Sequence, residues 1–206
     1  KALSPHLDCV SAERIAEELS RLLAEELRQL KLQDAHIDTC GNVIATLPGN
    51  APAPAVALIA HVDTVADAPG ENIHPSILRS YDGGDIQLAA GPVMRTSQFE
   101  YLPGLKGTDL IVTDGTTLLG ADDKAGVAEI MTMVANLVQS GRPHGELRVV
   151  FTTDEEIGEG VDGLDVAELN CRYAYTVDGG PIGEIEFENF NAASAVVRIH
   201  GLGIHP

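Results

Sequence analysis

Residues 55–63 read AVALIAHVD: six small or aliphatic residues, then His61, Val62 and Asp63. Upstream, Pro48–Pro54 is a loop in which Ala and Pro alternate. An apolar run of this length without polar alternation reads as a strand buried on both faces, the habit of strands inside α/β sheets. Two later stretches take the same form. Leu147–Thr152 (LRVVFT) runs into Asp154-Glu155-Glu156, and Tyr173–Val177 (YAYTV) runs into Asp178-Gly179-Gly180. Between the first two strands, residues 124–139 read as a helix with Val127, Ile130, Met131, Val134, Leu137 and Val138 inward, stopped by Ser140-Gly141 and Pro143. Strands alternating with helices predict an α/β fold.

Further out, residues 11–31 predict an amphipathic helix with Ser11 as N-cap. Ile15, Leu19, Leu22, Leu23 and Leu30 form its stripe, and Glu17 and Arg21 make an i,i+4 pair. His36–Asp38 and Asn42–Leu47 predict two strands around a turn at Cys40-Gly41. Residues 66–108, with DGGD at 82–85 and scattered Gly and Pro, predict loops with short hairpins. Glu184–Glu188 and Ala195–His200 predict two last strands.

The chemistry gathers where these elements end. In open α/β sheets, ligands bind beyond the carboxyl ends of the strands. If the strands are parallel, His61, Glu155, Glu156 and Asp178 emerge on one rim, and Asp122, at a helix start, can join them. Each has a plain structural reading alone: a hydrogen-bonded histidine, a helix cap, a solvated loop, a turn. Together they are hard to read as coincidence. Several carboxylates on one rim repel unless some are protonated or a cation sits among them. An imidazole among carboxylates is a mixed N/O donor set suited to zinc. An oxygen-only calcium site has no use for His61, and no EF-hand loop can be placed.

Composition narrows the partners. The 206 residues carry 13 Lys+Arg against 31 Asp+Glu, a net charge of −18, with a pI near 4.5. Such a chain repels nucleic acid and anionic lipid, so neither is an expected partner. The longest aliphatic run, Ala55–Ala60, is far too short to span a membrane, and no signal-peptide core is visible. Cys9, Cys40 and Cys171 are odd in number and lack CxxC spacing, which argues against a disulfide framework or thiolate zinc site and favours the cytoplasm.

Five segments resemble the peptidase T family of tripeptide aminopeptidases: IAHVDT (59–64), TTLLGADDKAGVAEIMT (116–132), FTTDEEIGEG (151–160), YAYTVDGGPIGEIEFENFNAAS (173–194) and GIHP (203–206). HxD, ADDKAG and DEE are shared with a wider group of di-zinc hydrolases that includes carboxypeptidase G and aminoacylase-like enzymes. TVDGG followed by ENFNAAS is similar to peptidase T specifically. The resemblance implies a zinc-exopeptidase-like mixed sheet flanked by helices, and release of the N-terminal residue from tripeptides. It implies that His61 and Asp178 bind one zinc, that Asp122 bridges two ions and that Glu156 binds the second. Asp63 would orient His61, and Glu155 would serve as general base and acid. A cis peptide between Asp122 and Asp123 is implied as well.

The resemblance also implies what to expect of the rest. The family continues through a lid or dimerisation domain and returns with a second histidine ligand that nothing here matches. Residues 1–191 would then be an incomplete catalytic domain and 192–206 the start of a lid, the chain being a fragment. His205 matches a lid histidine that stabilises the tetrahedral intermediate, and a homodimer is expected only with the lid present. The shared motifs leave open an N-acyl amino acid deacylase, a carboxypeptidase, or a catalytically dead metal-binding or assembly module.

Overall fold

The computed structural model describes residues 9–160, 163–180, 182–188, 191, 193 and 195–201, with side chains from residue 17 onward. The chain begins with helix α1 (Cys9–Gln29), followed by strands β1 (Gln33–Ile37), β2 (Val43–Leu47) and β3 (Val56–His61). An excursion holds β4 (Ser76–Leu78), β5 (Ile86–Gln87), β6 (Val93–Met94), a 3₁₀ turn at Leu102–Leu105 and β7 (Leu110–Val112). Helix α2 (Ala121–Ser140), β8 (Leu147–Thr152), the short helix α3 (Val166–Leu169) and β9 (Tyr173–Thr176) follow.

Five strands form one mixed sheet in the order β1-β2-β8-β3-β9. β3 runs parallel to β8 and to β9, while β2 is antiparallel to both β8 and β1. The three strands whose ends carry the acidic and histidine residues are thus the three parallel ones, so their carboxyl ends share one edge.

Side chains alternate across the sheet. Val43, Ala45, Leu47, Ala60, Val149 and Phe151 face α1 and α2. Ala57 and Val150 face the other way, onto Leu164 and Leu169, with Ile44 and Ile59 beside them. α3 therefore seals the second face, its first turn capped by Asp165, which accepts from the Ala167 and Glu168 N–H groups at 2.9 and 3.1 Å. The excursion has its own small core of Tyr81, Ile86, Leu88 and Leu102 beneath two antiparallel ribbons, β4–β7 and β5–β6.

Several expectations need correcting. α1 already includes residues 9 and 10, so Ser11 lies inside the helix. Leu23 and Leu27 are buried, but Leu22 is exposed, one position off the stripe that faces the sheet; the side chain of Ile15 lies outside the described residues. Val138 on α2 is exposed too. β9 is an edge strand in this sheet, and Tyr173 and Tyr175 are each 49% exposed, against the buried strand expected. Residues 184–188 and 195–200 are described without strand pairing, and Phe187 and Val197 are exposed. An extended segment becomes a strand only by pairing, and among the described residues none pairs with them.

Candidate metal centre

His61 ends β3 with its ring 2% exposed. Its Nε2 lies 2.9 Å from Asp122 Oδ1, 3.6 Å from Asp178 Oδ2 and 3.9 Å from Glu155 Oε2. Its Nδ1 faces Asp63 Oδ1 at 3.2 Å. One ring nitrogen is thus tied to a carboxylate behind it, and the other looks out among three carboxylates.

Each acidic group is delivered by a break in regular structure. Asp122 and Asp123 sit at the head of α2 with non-helical backbone, so the regular helix starts at Lys124 as the sequence predicts; the peptide between them is cis. After β8 the chain turns at residues 155–158, closed by Gly158 N–H donating to the Glu155 carbonyl at 2.8 Å, with Gly158 at φ +76°. That turn brings both Glu155 and Glu156 to the rim, where an extended segment would point them to opposite faces. Asp178 lies just past the end of β9, after Val177.

Donor atoms of two residue sets converge. Those of His61, Asp122 and Glu156 lie within 4.8 Å of one another, as do those of His61, Glu155 and Asp178. All five residues read from the sequence around the rim therefore meet, with Asp63 behind His61. His205 lies outside the described residues.

Two neighbours escaped the sequence reading. Asp123 is buried and accepts the N–H groups of His61, at 3.2 Å, and of Gly126, at 3.1 Å. Lys124 donates from Nζ to the Asp63 carbonyl at 3.0 Å. The only signal was their place within ADDK, beside Asp122. Asp63 does more than face the ring, since its Oδ2 accepts the Glu156 N–H at 3.0 Å and ties the β3 end to the turn after β8.

The protonation state follows from this crowding. Burial pushes His61 down, but hydrogen bonds to Asp63 and Asp122 and the charges of Asp63 and Asp178 outweigh it and raise its pKa to about 9. Burial raises Asp123 to about 6 against the two N–H groups it accepts. Burial and the Asp122 charge raise Asp178. Burial opposes ionisation of Asp63, yet its hydrogen bonds with His61 and the Glu156 backbone lower its pKa below the usual carboxylate range. Without a metal, the cluster holds its negative charge together with a proton on His61.

The donor chemistry fits a zinc-type ion: an imidazole nitrogen backed by a carboxylate, with several carboxylate oxygens around it. Among the described residues, no helix is long and apolar enough to cross a membrane.

Known proteins match this chain over most of its length. The peptidase T of Geobacillus kaustophilus is 50% identical over 194 residues, covering 92% of this chain and 47% of that protein. The peptidase T of Escherichia fergusonii is 51% identical over 191 residues, covering 91% and 47%. The chain thus spans about half the length of the curated relatives it matches. Among solved structures, the aminopeptidase PepT of Bacillus cereus superposes with a TM-score of 0.61 at 28% identity, covering 82% of this chain and 39% of that one. A tripeptidase of Staphylococcus aureus gives 0.58 at 25% identity, covering 82% and 43%. The sequence profile of Peptidase family M28 matches residues 42–165, the span from β2 to the cap of α3 that holds His61, Asp122, Glu155 and Glu156. The chain belongs to peptidase family M28.

Proposed function

We propose that this chain carries the zinc-binding part of an aminopeptidase that releases the N-terminal residue from short peptides, tripeptides foremost. The observation that supports it most is the meeting of His61, Asp122, Glu155, Glu156 and Asp178 at the carboxyl edge of three parallel strands. The peptidase T relatives and the tripeptidase neighbour supply the substrate class.

In this reading His61, Asp122 and Asp178 hold one zinc, and Asp122 and Glu156 hold a second. Zinc supplies Lewis acidity, polarising a carbonyl and making water nucleophilic near neutral pH. Glu155 acts as general base, taking the proton of the attacking water and delivering it to the leaving amine. Asp63 keeps a proton on Nδ1 of His61, leaving the Nε2 lone pair for the metal. Residues 1–191 are the catalytic portion and 192–206 the start of a lid, a division supported by the sheet and every rim residue lying at or before Asp178. The free thiols of Cys40 and Cys171 suit a cytoplasmic setting.

Paired substitutions test the roles. Glu155→Gln should keep the zinc bound by the wild-type chain and lower tripeptide hydrolysis by roughly 10²–10⁴-fold. Glu156→Gln should release zinc, read by calorimetry and by metal content after dialysis. Reversed outcomes would exchange the two roles, and full activity in both would end the hydrolase reading. Hydrolysis of N-acyl amino acids in preference to tripeptides would move the chain to the deacylases. Zinc binding without turnover of any substrate would leave a metal-binding module.

A further inference from the structure

Behind the carboxylate rim, β3, α2 and β9 meet at a single junction built from Asp123 and Gly126. Asp123 is 3% exposed, and its two oxygens are divided between two elements: Oδ2 accepts the His61 N–H of β3, and Oδ1 accepts the Gly126 N–H of α2. The Gly126 N–H belongs to the first turn of the regular helix, whose amides have no partner within the helix. β9 closes the third side. A Cβ on Gly126 would lie 1.8 Å from the Val177 carbonyl oxygen and 2.5 Å from Asp123 Oδ1. The end of β9 therefore reaches α2 only because residue 126 has no side chain. Val177 is pinned to β3 as well, its N–H donating to the Ile59 carbonyl at 2.7 Å.

Each arm of this junction carries one rim group a residue away or less. His61 itself gives its amide to Asp123, Asp122 precedes Asp123, and Asp178 follows Val177. We infer that Asp123 and Gly126 are positioning residues: they fix the spacing of His61, Asp122 and Asp178 from behind, without touching the metal. The inference rests on the proposed zinc-binding role of those three groups. A carboxylate serves where an amide would not, because two N–H donors converge and Asn offers one acceptor oxygen.

The test uses the full chain with three readouts: zinc affinity by calorimetry with zinc chloride, hydrogen exchange of the His61 and Gly126 amides by NMR, and the melting temperature. Asp123→Ala should lower zinc affinity roughly 10–100-fold, the scale seen when a group supporting a metal ligand is removed. It should also speed exchange of both amides. Asp123→Asn should fall between Asp123→Ala and wild type, and it carries the comparison if Asp123→Ala does not fold. Gly126→Ala should lower zinc affinity and shift the amide resonances of Val177 and Asp178. Val134→Ala, in the buried face of α2 away from the junction, should lower the melting temperature and leave zinc affinity within about twofold. Folded Asp123 and Gly126 variants with wild-type zinc affinity would overturn the inference, as would affinity losses no larger than that of Val134→Ala at equal melting temperature. If the wild-type chain binds no zinc, the metal reading has failed. Amide exchange then decides the junction alone, and unchanged His61 and Gly126 exchange in Asp123→Asn overturns it.

Discussion

Asp63→Asn probes the group that sets the state of the histidine ring, with almost no change in volume. Asp63 Oδ1 faces His61 Nδ1 at 3.2 Å, and Oδ2 accepts the Glu156 N–H at 3.0 Å. Asparagine has one acceptor oxygen and one NH₂ group. If the oxygen stays with Glu156, the NH₂ faces Nδ1, which must then be the unprotonated nitrogen of a neutral ring. The ring proton moves to Nε2, the atom that looks toward Asp122 and Asp178 and the one needed by a metal. If the amide flips, two N–H donors meet at Glu156, which costs about 1–3 kcal/mol. Either way zinc affinity should fall roughly 10–100-fold, or about 1.4–2.7 kcal/mol. Calorimetry with zinc near pH 7.5 measures the loss, and the ¹⁵N shifts of the His61 ring report the tautomer. Zinc affinity within about twofold of wild type, with the proton still on Nδ1, would refute the role given to Asp63.

Two further predictions rest on the same geometry. In chelator, His61 with its pKa raised to about 9 stabilises the fold fully below its unfolded value of 6.5 and loses that contribution as pH rises through 9. The loss is at most about 3 kcal/mol before allowance for solvent screening at the exposed Asp122. The raised pKa values of Asp123 and Asp178 act in the same direction at lower pH, so the metal-free melting temperature should fall from pH 6 to 9, and a rise would contradict the charge arrangement. At the far face, Asp165→Ala removes the cap of α3 and should cost about 0.5–2 kcal/mol in urea denaturation while leaving zinc affinity unchanged; a change in zinc affinity would show that α3 and the rim communicate.

What the sequence made legible follows from what each element owes to local pattern. β3 and β8 are buried on both faces, and an unbroken apolar run is the direct signature of that burial. The rim residues were legible because parallel strands place their ends on one edge, so position along the chain translates into position in space. β9 was misjudged because YAYTV looks like a core strand, whereas its exposure depends on which neighbours the sheet supplies. α3 went unread because four residues are too few to show a helical period. Asp123 went unread for a different reason: beside Asp122 it looks like a second rim acid. Only the non-helical backbone at both residues turns one outward and the other back onto the His61 and Gly126 amides.

The two aspartates that flank His61 divide the work of holding it. Asp63 fixes the ring through Nδ1, and Asp123 fixes the backbone through the His61 N–H. Each also reaches a second element, Asp63 the Glu156 amide after β8 and Asp123 the Gly126 amide of α2. The histidine is therefore braced against both neighbouring acidic segments, while Asp122, Glu155 and Asp178 crowd its Nε2. The Lys124 ammonium is placed against this group, and it donates to the Asp63 carbonyl. Burial lowers its pKa against the pull of the surrounding carboxylates. The outward-facing carboxylates thus have the Lys124 charge and the proton on His61 set against them, an arrangement that favours exchanging that proton for a divalent cation.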